Sequence, residues 1–332
     1  MRTDGAVPDT MRAAVIDAFG GPERLVIRDV PVPDVAANEV LIRVDTAGVG
    51  VWDATTRRGE WADGRDRFPL VLGADGSGTI AALGDDVQGL RLGDAVIGYA
   101  YGDAKGGFYA EYAALDAGHV APIPVSLDFR EAGGIAVTGL TALAGIDDAL
   151  ELRPGDVVLI HGATGGVGTM AVQFAKRRGA HVVATANGGE GRELLRRLGV
   201  DDAIDTQHDD VLAAVRRVLP AGVDAILALT GGASLERCLP ALRAGGRLAH
   251  PNGVDAPAPA GIRATAFDSA PNPAAFARLS ALVDEAPIAF PIAATYSLDD
   301  AAEAHRRLER GHVLGKIVLV VDAREDVIEK VA

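Results

Sequence analysis

Cysteine is almost missing: Cys238 is the one thiol in 332 residues. No intrachain disulfide can form and no cysteine-rich zinc knuckle can be built, which suits a reducing compartment such as the cytoplasm. No stretch approaches the roughly 18 uninterrupted apolar residues of a membrane-spanning helix. The segment after Met1 carries Asp4 and Asp9 where a secretion signal would be apolar, and residues 1–10 are expected to be a frayed extension. Runs of lysine and arginine are missing as well, and the formal net charge is -14. That balance repels a polyphosphate backbone, so nucleic acid is not an expected partner. What the chain does hold is apolar mass: 48% of its residues are hydrophobic and 23% charged, the balance of a globular protein. At this length two cores are expected, because single cores stop growing below about 250 to 300 residues.

The chain changes character along its length. From Met11 to about Phe129, short β-branched runs such as residues 39–44 and 94–97 alternate with Gly-Pro, Pro-x-Pro and Gly-Asp punctuators, which favour turns. This half reads as mostly β. Residues 130–152 take up alanine-rich helical spacing. After Arg153-Pro154-Gly155-Asp156 the pattern alternates: strand 157–161, helix 168–178, strand 181–186, helix 190–198 and a short strand near Ile204. It continues with helix 210–219, strand 224–229, helix 234–243 and strand 247–250. Strands apolar on both faces, like Val157-Val158-Leu159-Ile160, imply a parallel sheet covered by helices, the doubly wound α/β arrangement. Residues 254–273, around a strand-like 262–267, link this domain to a C-terminal helix at 298–310 and a strand at 316–321.

The segment His161-Gly162-Ala163-Thr164-Gly165-Gly166-Val167-Gly168 follows an apolar strand and opens a helix, the context a phosphate-binding turn needs. Small residues at 163, 165 and 168 permit a tight turn, close approach of a pyrophosphate to main-chain N–H groups, and contact between helix and strand. Ala163, Thr164, Gly165, Gly166, Val167 and Gly168 are the candidate contacts; without a ligand the same pattern is a tight βα turn. The next strand ends at Asn187, where an NAD-selective fold presents a carboxylate to the ribose hydroxyls. Asn187 can hydrogen-bond a 2′-phosphate and Arg192 can reach it, which favours NADPH over NADH. Arg192 equally fits the solvated face of its helix, beside Glu193 and Arg196.

With this loop and the run 296–319 in view, the chain resembles the medium-chain dehydrogenase/reductase superfamily, and more closely its quinone oxidoreductase branch. The resemblance extends through residues 34–48, Phe68-Pro69-Leu70-Val71-Leu72-Gly73, Gly93-Asp94-Ala95-Val96 and residues 106–112. It implies a GroES-like β domain from residues 11–129 and 269–332, a Rossmann domain from 130–268, and an active site between them. It also implies a homodimer joined through sheet edges, here 262–267. Zinc-dependent relatives carry ligands where this chain has Gly50, Ala74 and a residue near Val137, so no metal is expected. His181, His208, His305 and His312 are scattered and read as ordinary histidines.

Without metal, a bound nicotinamide would deliver hydride to a small quinone or α,β-unsaturated carbonyl, while the protein orients the acceptor. The family motif resembles Asn-x-x-Asp-x-Tyr-x-x-x-Gly; here Gly50 and Thr55 replace the Asn and Tyr, while Asp53 and Gly59 match. Asp53 and Thr55 are the polar catalytic candidates, with a capping role open for Asp53. Trp52 and Trp61 wall either the pocket or the core, and Tyr99, Tyr101 and Tyr109 fall near the expected cleft. Resemblance places Thr138 and Thr141 beside the nicotinamide; Thr230, Gly231, Asn252 and Gly253 follow later strands on the ligand-collecting edge, and Lys316 joins the cofactor set. Cys238 reads as an inert core thiol. An enoyl-thioester reductase and a non-catalytic NADPH-binding redox sensor remain as alternatives.

Overall fold

The computed structural model describes residues 2–3, 7–60, 68–257 and 259–322. Six parallel strands form one sheet, in the order Asp202–Asp205, His181–Ala186, Val157–His161, Val223–Ala228, Leu242–Pro251 and Arg263–Phe267. Val157–His161 comes first in the chain yet lies inside the sheet; its successors run outward to one side and then to the other. Such a reversal leaves a crevice at the carboxyl ends of the strands flanking it, because the two connecting segments part there. Helices Ile135–Leu143, Gly166–Arg177 and Pro273–Glu285 share one apolar cluster with the sheet's inner face.

The other layer is a mixed sheet in which Ile292–Ser297, Lys316–Val320, Glu39–Val49, Asp75–Leu83, Ala95–Tyr99 and Val120–Pro122 follow one another, with Tyr112–Asp116 paired to Glu39–Val49. The C-terminal strand Lys316–Val320 thus returns to lie antiparallel to Glu39–Val49. A small sheet of Val26–Pro31, Thr10–Ile16 and Leu70–Val71 packs beside it. The α/β class, with a GroES-like sheet domain and a Rossmann-type parallel sheet, is therefore as expected.

Several elements differ from the sequence reading. Arg2–Thr3 of the presumed frayed extension pair with Leu83 and Ala82. The half read as mostly β also holds helix Val51–Arg58, which stops at Gly59 (φ 81), a left-handed position open to glycine. The helix expected over 234–243 shrinks to Ala233–Glu236 and a 3-10 turn, Leu239–Ala241, before Leu242 starts the next strand. Pro240 has no N–H to donate and its ring crowds the preceding turn, so an α-helix cannot run through it. Helix Pro273–Glu285 starts at an Asn272 cap and packs Leu279 against Gly139, where a Cβ would meet Leu279 Cδ1 at 2.8 Å. Alanine-rich 130–152 becomes helix Ile135–Leu143, buried along its whole length, followed by a π-helical turn over Ala144–Ala149.

Candidate functional site

The small-residue loop lies in the crevice. Gly162 has φ 82, and a Cβ on Gly168 would stand 2.5 Å from Ala163 Cα and Gly162 O, so helix Gly166–Arg177 can approach its strand this closely only with glycine there. Gly165 caps the helix, and a Cβ on it would meet nothing nearer than 3.9 Å, so that side of the turn is open, whereas a Cβ on Gly166 would meet Thr138 Cγ2 at 3.1 Å. An anion fits such a place, where free N–H groups and the helix dipole point outward. The loop also touches the other domain. Gly315 N–H donates to Thr164 O (2.8 Å), and Gly165 and Gly315 form a parallel bridge.

Strand His181–Ala186 ends at exposed Asn187, with no carboxylate at that position. Nearby Asp205 is engaged: it accepts from Gly188 N (2.9 Å) and Gln207 N (3.0 Å) and pairs with His208. Arg192, one turn into helix Gly189–Arg197, keeps a buried Nε without a hydrogen-bond partner. An orphaned guanidinium N–H is a donor that an anionic oxygen could satisfy.

The facing wall is ionic. Asp53, Asp75 and Lys316 are each at most 3% exposed. Lys316 Nζ lies 3.4 Å from Asp75 Oδ1 and 4.6 Å from the Trp52 ring centre. Its stem runs past Gly48, Gly134 and Gly166, where added Cβ atoms would meet it at 2.7, 2.7 and 3.4 Å. The two carboxylates collect three amides from three segments: Gly50 N donates to Asp53 Oδ2 (2.8 Å), Ala74 N to Asp53 Oδ1 (2.9 Å) and Val137 N to Asp75 Oδ2 (3.3 Å). Burial, aided by the neighbouring Asp75 charge and opposed by Lys316, pushes the Asp53 carboxyl up to about 7. Burial also raises Asp75, again against Lys316.

Behind Asp53 stands a chain of side chains. Arg57, fully buried, donates to His305 Nδ1 (2.7 Å), to Gly20 O (3.0 Å) and to Glu309. A guanidinium only donates, so His305 Nδ1 accepts and Nε2 carries the proton toward Tyr109 Oη at 3.1 Å. Tyr109 in turn reaches the Asp53 carboxylate, and burial holds its hydroxyl well above the usual phenol range. Burial, with Arg57 next, lowers His305 to about 3.

The remaining candidates divide. Thr55 donates to Val51 O (2.8 Å) and Thr138 to Gly134 O, so both hydroxyls are spent on their own helices. Thr141 bonds Ser269 Oγ (3.0 Å), and Tyr99 donates to Ser269 O (3.0 Å). Thr230, Gly231, Asn252 and Gly253 sit after their strands on the crevice side, with Asn252 Nδ2 donating to Asp268 (2.5 Å). Cys238 is buried beside His161, its thiol raised by burial to about 11. Trp61 lies outside the described residues. The sequence reading missed Asp75, Arg57 and His305 as one cluster with Asp53; their separation of up to 252 positions left only the charged residues themselves as a signal.

Comparison with known proteins matches this geometry. Residues 36–125 match the family model of the alcohol dehydrogenase GroES-like domain, and residues 198–319 that of the zinc-binding dehydrogenase. Human quinone oxidoreductase is 30% identical over 327 residues, covering 94% of this chain and 98% of its own. The quinone oxidoreductase of Coxiella burnetii superposes with a TM-score of 0.85 at 32% identity, over 94% of this chain and 100% of that one. A mycobacterial protein solved as a complex with NADPH gives 0.83 at 26% identity, with 94% and 100% covered. The chain belongs to the medium-chain dehydrogenase/reductase superfamily, in its quinone oxidoreductase-like family. It is an NAD(P)-dependent oxidoreductase.

The zinc named in one of these family models finds no donor set here. Gly50, Ala74 and Val137 carry no ligating side chain, and their amides are already directed at Asp53 and Asp75. Among the described residues no group of three or more His, Cys, Asp or Glu is placed to hold a metal ion, and no helix is long and apolar enough to cross a membrane.

Proposed function

We propose that this protein is a cytoplasmic, zinc-independent reductase that uses NADPH to reduce quinones or α,β-unsaturated carbonyls. The observation that carries the reading is the open side of the turn at Gly165, set beside a wall that holds Lys316. The loop residues would hold the pyrophosphate through main-chain N–H groups, and Asn187 with the orphaned Arg192 Nε would take the 2′-phosphate. Bound reduced nicotinamide supplies the hydride. The protein orients the acceptor and keeps water from the cleft. Thr230, Gly231, Asn252 and Gly253 would line the nicotinamide side, and Thr141 with Ser269 offers it a hydroxyl pair. Strand Arg263–Phe267, last in the parallel sheet with Arg263, Ala264 and Ala266 exposed, is the edge to which a second copy adds.

The test is loss of NADPH absorbance with a panel of simple quinones and enones, run beside NADH. Oxidation preferring NADPH, unaffected by a strong chelator, is the expected result. Tight nucleotide binding without oxidation of any acceptor would instead make the protein a nucleotide sensor.

A further inference from the structure

Beside Asp53, and lined by no residue of the loop 162–168, lies a cavity of about 30 Å³. One water needs roughly 10–15 Å³ of such space, so the cavity has room for a water and a neighbour. Its walls are Asp53 and Thr56 of helix Val51–Arg58, residues 70–74, and the surface turn 100–107, where half-buried Asp103 stands. Burial raises the Asp103 carboxyl too. Asp53 therefore has two sides. One lines a water-sized space behind a surface turn; the charges of buried Lys316 and Asp75, neither of which lines that space, act on Asp53 from elsewhere.

We propose that this cavity is a solvent inlet for the proton of the reaction, and that Asp53 passes that proton to the acceptor. The proposal rests on the reductase reading and adds the donor that reading lacks. As hydride forms a C–H bond on the acceptor, the π pair moves onto the acceptor oxygen and the Asp53 O–H proton closes on it. The nucleotide is left oxidised by two electrons, and the Asp53 carboxylate recovers a proton from cavity water, which solvent restores. Net consumption is one hydride and one solvent proton per acceptor. The side chains facing Asp53 set its proton: Lys316 from strand Lys316–Val320, Asp75 from strand Asp75–Leu83, and Tyr109, backed by His305 and Arg57. Arg57 cannot hand on a proton, so the Tyr109–His305 chain ends blind and holds Asp53 in place, which leaves the cavity as the route of supply.

Infrared difference titration of the full-length protein reads the carboxyl directly. A carboxylic C=O band titrating near pH 7 is expected; it disappears in Asp53→Asn, moves to higher pH in Lys316→Met and to lower pH in Asp75→Asn. In turnover, Asp53→Asn that still melts cooperatively and binds NADPH should lose about 100-fold in kcat with little change in KM. Ala100→Leu, which fills the cavity, and Thr56→Val, which removes its hydroxyl, should lower kcat and enlarge the D2O effect while leaving NADPH affinity alone. An unchanged band in Asp53→Asn, or unchanged kcat and D2O effect in folded Ala100→Leu, overturns the inlet. Absence of turnover in the wild-type protein removes the reductase reading, whereas the infrared titration still decides whether Asp53 exchanges its proton there.

Discussion

Loop 162–168 offers main-chain N–H groups and asks of its side chains only that they stay small, whereas the facing wall buries Asp53, Asp75 and Lys316 and works through their charges. The loop's capacity comes from local geometry: a strand, a bend with Gly162 in the left-handed region, and a helix start within a few residues. The wall's capacity comes from assembly. Its three ionisable groups arrive on helix Val51–Arg58 and on strands Asp75–Leu83 and Lys316–Val320, and none has a function until the others are present. Backbone sites of the first kind tolerate most changes that keep the volume small. Charge clusters of the second kind fail when one member is removed, because the partners stay buried without compensation.

The largest effect separating the two regions should follow Lys316→Met. Loss of the cation beside Asp53 and Asp75 should cost about 3 kcal/mol of stability at pH 8 and less at pH 5, read from denaturant melts at both values. The sign follows from proton binding. Folded Asp53 holds its proton up to about 7, against 3.8 for an ordinary aspartate, so between these values the folded state binds more protons and stability declines as pH rises. Removing Lys316 takes away the charge that opposes this shift, so the decline steepens. A pH-independent loss would show that packing of the lysine stem, not its charge, matters there.

On the loop side, Gly168→Val forces atoms into space 2.5 Å from Ala163 Cα and should lower the melting temperature by about 5 to 10 °C while abolishing nucleotide binding. Unimpaired NADPH affinity would break the contrast, since the loop would then not depend on close backbone approach. Smaller still, Arg192→Ala should weaken NADPH by about tenfold and leave NADH unaffected, by isothermal titration, and Asn187→Asp should shift the ratio toward NADH by a similar factor. An unchanged ratio in both would detach the 2′-phosphate from this end of the site. The smallest effect expected is on the acid limb of stability in His305→Gln. The unfolded chain protonates this histidine below about 6.5 and the folded protein only near about 3, so unfolding takes up a proton in that window and stability falls as pH drops. The variant should flatten that slope; retention of the full slope would assign it to another group such as His161, which burial lowers to about 4.

The same contrast explains what could be read in advance. Strand Val157–His161, the bend after it and helix Gly166–Arg177 announce themselves through an apolar run and spaced small residues, because a parallel strand is buried on both faces and the close approach of helix to strand leaves no room for a Cβ at Gly168. Thr55 and Thr138 looked equally promising as letters, yet their hydroxyls fold back on Val51 O and Gly134 O, a choice made by helix geometry rather than by residue type. Asp75 next to Ala74 gave no pattern at all; its role depends on Lys316, which stands 241 positions away. Helix Pro273–Glu285 was lost in a tract rich in alanine and proline, where Pro273 at the first turn starts a helix instead of breaking it.

Gly315 is joined to Thr164 and Gly165 by main-chain contacts, while its own Cβ position is blocked by Pro291 O at 2.1 Å. The residue that leads into the last strand of one domain is therefore pinned to the small-residue loop of the other. A side chain at 315 would have to push Pro291 O aside and would drag on the loop that the same glycine holds, so one residue without a Cβ sets the spacing of the two sheets.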